Sequence, residues 1–132
     1  MKVSRSAGYA LIAVGYITEN YRKGAVLASR VSKEYDIPVE YLLKILQQLV
    51  RANILKSKRG PHGGFSLAHP AFEITILRVI EAVDGPMVNH LHLARQANNA
   101  PFSIKMEEVC DRAIRDIRAT YGNAKFSELA TV

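Results

Sequence analysis

The sequence predicts a mainly α-helical fold with a small β-wing: a winged helix-turn-helix followed by a long C-terminal dimerisation helix. Three observations predict it. Leu42, Ile45, Leu46 and Leu49 recur at i, i+3, i+4 and i+7 and so share one face of a helix over residues 38–51. Ile54-Leu55 and Phe65-Ser66-Leu67 read as short strands, and Gly60, Pro61, Gly63 and Gly64 between them demand a turn. Met106, Cys110, Ala113 and Ile117 mark one face of a helix from Ser103 to Tyr121, closed by Gly122, with no companion of similar length nearby in the chain.

From the N-terminus, Ser4 is placed to cap a first helix running to about Asn20. Ala7, Ala10, Leu11, Val14 and Ile17 form one face, and Tyr9, Ile12, Ala13 and Tyr16 add apolar surface on other sides. A helix apolar nearly all round is buried on more than one side, so Leu11 and Val14 are expected to serve a partner chain as well as this chain's own core. Lys2 and Arg5 are free to meet phosphates, or merely to solubilise the terminus. Arg22-Lys23-Gly24 is a turn. Residues 26–35 read as a short helix with Leu27, Ala28 and Val31 inward and Ser29, Arg30 and Lys33 outward. Asp36 leads within a few residues to Ile37-Pro38, the spacing of a helix-turn-helix. In that geometry residues 26–35 cross a DNA backbone, with Ser29 toward it, and residues 38–51 lie in the groove.

Glu40, Lys44, Gln47 and Arg51 occupy the face of the second helix opposite its leucines, with Tyr41 and Gln48 on the flank. Pro38 suits the first turn, where its missing N–H costs nothing. A helix fits the major groove of B-DNA, where Lys, Arg and Gln hold phosphates or read bases. Alone, such a stripe equally suits a solvated face. The wing tips the balance. Lys56, Lys58 and Arg59 lead into its tip, where Gly60, His62 and Gly63 sit; glycines let backbone approach another surface, and an arginine beside such a turn can enter a narrow minor groove.

After a break at His69-Pro70, Thr75 caps a helix through Val83, with Ile76, Val79, Ile80 and Val83 on one face and Asp84-Gly85-Pro86 as its stop. Residues 87–101 form a connector ending in the loop Asn98-Asn99-Ala100-Pro101. On a strand, His90 and His92 would share a face and offer two metal ligands, but no third or fourth stands nearby, and we read them as part of an exposed connector. In the last helix, Glu108–Arg112 and Asp111–Arg115 are spaced as i, i+4 pairs. Its seam of Met106, Cys110, Ala113 and Ile117 is expected to meet its own copy in a second chain, or the first helix of that chain. Phe126 to Leu129 adds a closing turn.

Charge follows the same division. Residues 1–68 hold eleven Lys/Arg against four Asp/Glu, a balance of +7, whereas residues 69–132 stand at −1. A polyanion partner suits the first half and another task the second. Cys110 is the single cysteine, which excludes an internal disulfide and any cysteine-based zinc cluster within one chain. The apolar run from Ala7 to Ile17 falls short of the ~20 residues a membrane span needs. No signal peptide is evident, and a cytoplasmic location without membrane contact is expected. There is no phosphate loop, no plausible carboxylate pair and no Ser/His or Cys/His arrangement with an orienting acid, so no catalytic residues are assigned and an enzyme is not expected.

The chain resembles the Rrf-type winged-helix transcriptional regulators of bacteria, the IscR/NsrR/CymR-like family. The resembling residues are Tyr9-Ala10-Leu11, Ile37 to Leu42, Lys44-Ile45-Leu46, Ser57 to Ala68, Ile74-Thr75-Ile76, Ile80 to Pro86 and Phe126 to Leu129. The wing run Arg59-Gly60-Pro61-His62-Gly63-Gly64-Phe65 is its most specific part. The resemblance implies a homodimer whose recognition helices enter successive major grooves of a roughly palindromic operator. It implies residues 1–85 as the DNA-binding domain and 86–132 as connector and dimerisation helix, with Glu40, Tyr41 and Lys44 facing DNA and Arg59 as the wing arginine. His62 replaces the family's usual glycine, as a phosphate contact or a tolerated change at an exposed tip; we take the latter. Sensing members carry three cysteines between the Asp-Gly-Pro stop and the long helix, whereas residues 87–105 here contain none, and Gly8 stands at one of the family's non-cysteine ligand positions. No iron–sulfur cluster, other cofactor or metal site is therefore expected.

The function expected is sequence-specific binding of double-stranded DNA, as a repressor by occlusion. Two alternatives stay open for its control: a bound regulatory protein such as an enzyme, or a small effector or metal sensed near His90, His92 and Cys110. As a redox thiol, Cys110 on an apolar helix face would be inert.

Overall fold

The computed structural model describes residues 2–131. The first helix, α1 (Arg5–Glu19), packs against α3 (Val39–Arg51), β2 (Gly64–Leu67), α4 (Ile76–Asp84) and α7 (Phe126–Leu129). Its contact faces explain why: Ala7, Ala10 and Ala13 are all fully buried, and side chains this short let neighbouring helices approach closely. Val14 and Ile17 fill the centre. Thr18, also buried, donates its hydroxyl to the Val14 carbonyl at 2.7 Å, so no polar group is stranded there. Ser4 caps α1 as expected, its Oγ accepting from the Ala7 N–H at 3.0 Å. The Asp84 carboxylate accepts in turn from the N–H and hydroxyl of Ser4, which places an anion at the positive end of α1.

Val14 therefore belongs to this chain's own core and has no surface to give a partner, contrary to its expected place at a dimer interface. Periodicity identifies an apolar face but not what covers it. Leu11 is half-buried and packs against the core.

The helix-turn-helix is α2 (Ala28–Tyr35) followed by α3. Asp36 ends α2 in the left-handed region at φ 54°, a conformation that Asp tolerates, and the buried Ile37 donates its N–H to the Ser32 carbonyl at 3.0 Å. Two details differ from expectation. Pro38 is the cap residue of α3 rather than part of its first turn. Leu27 lies outside α2, 52% exposed, because the preceding Val26 is drawn into the wing. Val26 and Phe65 exchange backbone hydrogen bonds of 2.8 and 2.7 Å, giving β2 a second neighbour.

Leu42, Ile45, Leu46 and Leu49 of α3 are all buried, as their spacing requires. Asn53 reverses the chain at φ 60°, and the Ile54 N–H returns to the Leu49 carbonyl at 3.0 Å. Then β1 (Leu55–Lys58) pairs antiparallel with β2, Leu55 opposite Leu67 and Lys58 opposite Gly64. Thr75 caps α4 through the Arg78 N–H, and Gly85 at φ 86° ends it.

The connector is better ordered by hydrogen bonds than its sequence suggests. Glu81 accepts from the Met87 N–H at 2.7 Å and from Arg118, whose guanidinium also reaches the Met87 carbonyl at 3.1 Å. The connector also holds a one-turn helix, α5 (Leu93–Gln96), which its sequence does not announce; it ends in Asn98 and Asn99, both left-handed, which turn the chain into α6 (Pro101–Gly122). Pro101 is the first residue of α6, so the helix starts two residues before Ser103. The pairs Glu108–Arg112 and Asp111–Arg115 do not form; among the described residues Arg118 pairs with Glu81 and the His69 ring lies 3.6 Å from Glu73, while Asp111 accepts from Asn89 at 2.8 Å. Finally α7 returns to the centre of the molecule, with Phe126 buried and its N–H on the Ile74 carbonyl at 3.0 Å.

Candidate nucleic-acid interface

The outer face of α3 is built by subtraction. Leu42, Ile45, Leu46 and Leu49 face the core, which leaves Glu40, Lys44, Gln47 and Arg51 exposed and Gln48 half-buried beside them. Tyr41 is held by two contacts with α1: its hydroxyl bonds to Ser6 Oγ, and its ring meets Tyr9 edge-on at 5.7 Å between centroids. Ser6 thus fixes a residue of α3, a role that no motif announces. Ser6, Tyr41, Lys44, Gln48 and Arg51 together line a shallow depression of about 400 Å³ between α1 and α3. Lys2 and Arg5 are exposed at the start of α1, and Ser29 is exposed on α2.

Three residues after α3 the wing begins. Its tip, Arg59 to Gly63, is held by the Gly63 N–H on the Gly60 carbonyl at 2.9 Å, with Gly60 at φ 103°. Lys58, Arg59, Gly60 and His62 are exposed and Gly63 is half-buried. Gly64, at φ 138°, lies against the backbone of Val26: a Cβ there would stand 2.5 Å from the Val26 carbonyl oxygen. The glycine is needed for close packing of wing on scaffold as well as for the turn.

Among the described residues, none of Lys44, Arg51, Lys56, Lys58 and Arg59 has a carboxylate within 4.0 Å. Their charge is therefore uncompensated inside the protein. Such a surface suits a polyanion, and amides at Gln47 and Gln48 add donors and acceptors suited to base edges.

The long helix presents a second surface. Phe102, Met106 and Val109 are 64%, 50% and 54% exposed, and Ala113 is exposed on the next turn. These four, at i, i+4, i+7 and i+11, form an uncovered apolar seam. It differs in part from the seam the sequence predicts. Met106 and Ala113 belong to it, Cys110 is half-buried on its edge, and Ile117 faces inward against Ala7, Ile80 and Met87. Phe102 joins it because the helix begins at Pro101, ahead of the expected start. His90 and His92 are exposed, and no group of three or more His, Cys, Asp or Glu residues among the described residues is placed to hold a metal ion. No helix among them is long and apolar enough to cross a membrane.

Proteins similar to this chain in sequence are named as regulators of transcription. The chain is 32% identical over 114 residues to the HTH-type transcriptional regulator IscR of Cereibacter sphaeroides, covering 85% of this chain and 73% of that protein. It is 34% identical over 84 residues to IscR of Vibrio vulnificus, covering 64% of this chain and 50% of that one. Its fold matches that of CymR, the global cysteine regulator of B. subtilis, with a TM-score of 0.85 at 21% identity, over 98% of this chain and 96% of the other. It also matches T. potens IscR, with a TM-score of 0.76 at 19% identity over 98% and 85%. The family model Rrf2, described as "Iron-dependent Transcriptional regulator", matches residues 3–127, which take in the helix-turn-helix, the wing and the long helix alike, and the chain belongs to this family of winged-helix transcriptional regulators.

Proposed function

We propose that the chain binds operator DNA as a homodimer, represses by occlusion, and does so without an iron–sulfur cluster. The observation that carries the DNA contacts is the uncompensated cationic and amide stripe of α3, continuous within three residues with a basic, glycine-tipped wing. On this reading Lys44, Gln48 and Arg51 meet the major groove with Glu40 and Tyr41 beside them. Lys58, Arg59, Gly60, His62 and Gly63 meet the minor groove or its phosphates, and Lys2, Arg5 and Ser29 contact the flanking backbone. Residues 1–85 then serve as the reading head and residues 86–132 as the dimerising unit, in the cytoplasm.

The dimer is supported by the exposed seam of Phe102, Met106, Val109 and Ala113, since an apolar ridge of this length on an exposed helix is suited to burial against its own copy. The residues do not fit the iron chemistry of the family description. Clusters are held by cysteine thiolates, and this chain has one cysteine, on the edge of α6.

Two substitutions test the DNA contacts. Lys44→Ala is expected to weaken binding to the selected operator by roughly 1–3 kcal/mol while leaving random DNA less affected, the signature of a base contact. Arg59→Ala is expected to weaken both and to flatten the dependence of log K on log salt by about 0.9 for each phosphate it no longer neutralises. Fluorescence anisotropy across a salt series measures both. Unchanged affinity for Arg59→Ala would remove the wing from the interface.

A further inference from the structure

One cavity is lined by no residue of α3 and shares only Lys56 with the cationic surface described above. It is an open groove of about 820 Å³ behind the wing, between the C-terminal end of α1, the outward face of the ribbon and the turn before α4. Ligand sites of this size accept a small organic molecule. Its walls are mostly apolar, with Tyr21 and Phe72 each 50% exposed on it. Arg22, Lys56 and His69 line it, together with the hydroxyls of Thr18, Tyr21, Ser66 and Ser127, and no carboxylate among the described residues does.

Arg22 and His69 are held by neighbouring side chains, and neither Arg22 nor Lys56 has a carboxylate within 4.0 Å among the described residues. Arg22 stacks on Tyr21, its Cζ 5.6 Å from the ring centre, and its Nε donates to the Tyr21 hydroxyl at 3.0 Å. That hydrogen bond raises the guanidinium pKa above its ordinary value; arginine is a cation at physiological pH in any case. Among the described residues, Lys56 has no acid within 4.0 Å. One nitrogen of His69 bonds to the Asn53 amide at 2.9 Å, and the other lies 3.6 Å from Glu73.

We propose that this groove binds a small amphipathic carboxylate, its apolar body against Tyr21 and Phe72 and its carboxylate between Arg22 and Lys56. Charge complementarity selects the class: two unpaired cations on an apolar floor, with no acid among the lining residues, disfavour neutral and cationic molecules. Lys56 and Ser66 are cross-strand partners within the wing, so an occupant touches the ribbon itself. Control of DNA binding through that contact rests on the function proposed above; the binding site does not.

The test uses the full chain without DNA, so its outcome is independent of the DNA-binding reading. An amide correlation spectrum is followed during titration with indole-3-acetate, 4-phenylbutyrate and octanoate, and with indole-3-acetamide as the neutral counterpart. Saturable shifts are expected at Lys56, Ser66, His69 and Phe72, with the acid binding about tenfold or more tighter than the amide, the scale of one charge-assisted hydrogen bond. Arg22→Gln combined with Lys56→Gln is expected to abolish that difference, and Phe72→Ala to weaken acid and amide alike. The proposal is overturned if none of the three carboxylates shifts these amides, if the shifts map elsewhere, or if acid and amide bind equally. It is likewise overturned if the groove proves to be covered by a second copy of the chain.

Discussion

Replacing Gly64 with alanine is expected to unseat the wing and to cost about 2–3 kcal/mol of stability, the sum of a forced backbone strain and a weakened hydrogen-bonded pair. The new Cβ would stand 2.5 Å from the Val26 oxygen and 2.7 Å from its carbonyl carbon, and φ 138° disfavours any side chain there. Neither atom can move aside alone, because Val26 is tied to Phe65 by two hydrogen bonds. Relief requires the ribbon to lift from the residue before α2. A thermal melt followed by circular dichroism measures the loss, expected as roughly 10 °C for a chain of this size. Gly15→Ala is the control: nothing lies within 4 Å of its added Cβ, it sits inside α1, and alanine is expected to gain about 0.5–1 kcal/mol there. An unchanged melt for Gly64→Ala would show that the wing is not packed as described.

The second large effect belongs to the long helix. Met106→Glu together with Val109→Glu is expected to turn the proposed dimer into a monomer, because two carboxylates from each chain would have to be buried unpaired across the seam. Both side chains are about half exposed within one protomer, so the monomer is expected to keep its helical content and its melt. Affinity for a two-half-site operator should then fall by roughly 10²–10⁴, the loss of linked binding, while non-specific binding falls far less. Sedimentation velocity reads the association state directly. A double variant that remains dimeric would move the interface elsewhere.

The elements proposed to carry DNA recognition are the most legible in the sequence. In α3, Leu42, Ile45, Leu46 and Leu49 leave one helical face for the core and dictate which residues remain outside. Across the wing, glycines and a proline within five residues leave a turn as the only economical conformation. Ser4 and Thr75 announce their helices because a cap is a local interaction.

What stays hidden depends on neighbours distant in sequence. Nothing near Val26 reveals that it pairs with Phe65, and that pairing delays the start of α2 and leaves Leu27 outside. Val14 and Ile117 lie on apolar faces whose covering surface is this chain's own core, a distinction that periodicity does not make. Phe102 escapes the predicted seam because Pro101 reads as the end of a loop, although proline is equally at home in a first helical turn. The approach of Ser6 to Tyr41 and the groove behind the wing exist only once α1 is folded beside the helix-turn-helix and ribbon.

Selection of genomic fragments by the purified full chain, with sequencing of those retained and footprinting of the best, tests the central claim most directly. The account predicts an enriched inverted repeat whose half-sites lie one helical turn apart, about 10 base pairs centre to centre, protected on both halves at once. Retention without any enriched sequence, or protection of a single unrepeated site, would contradict it.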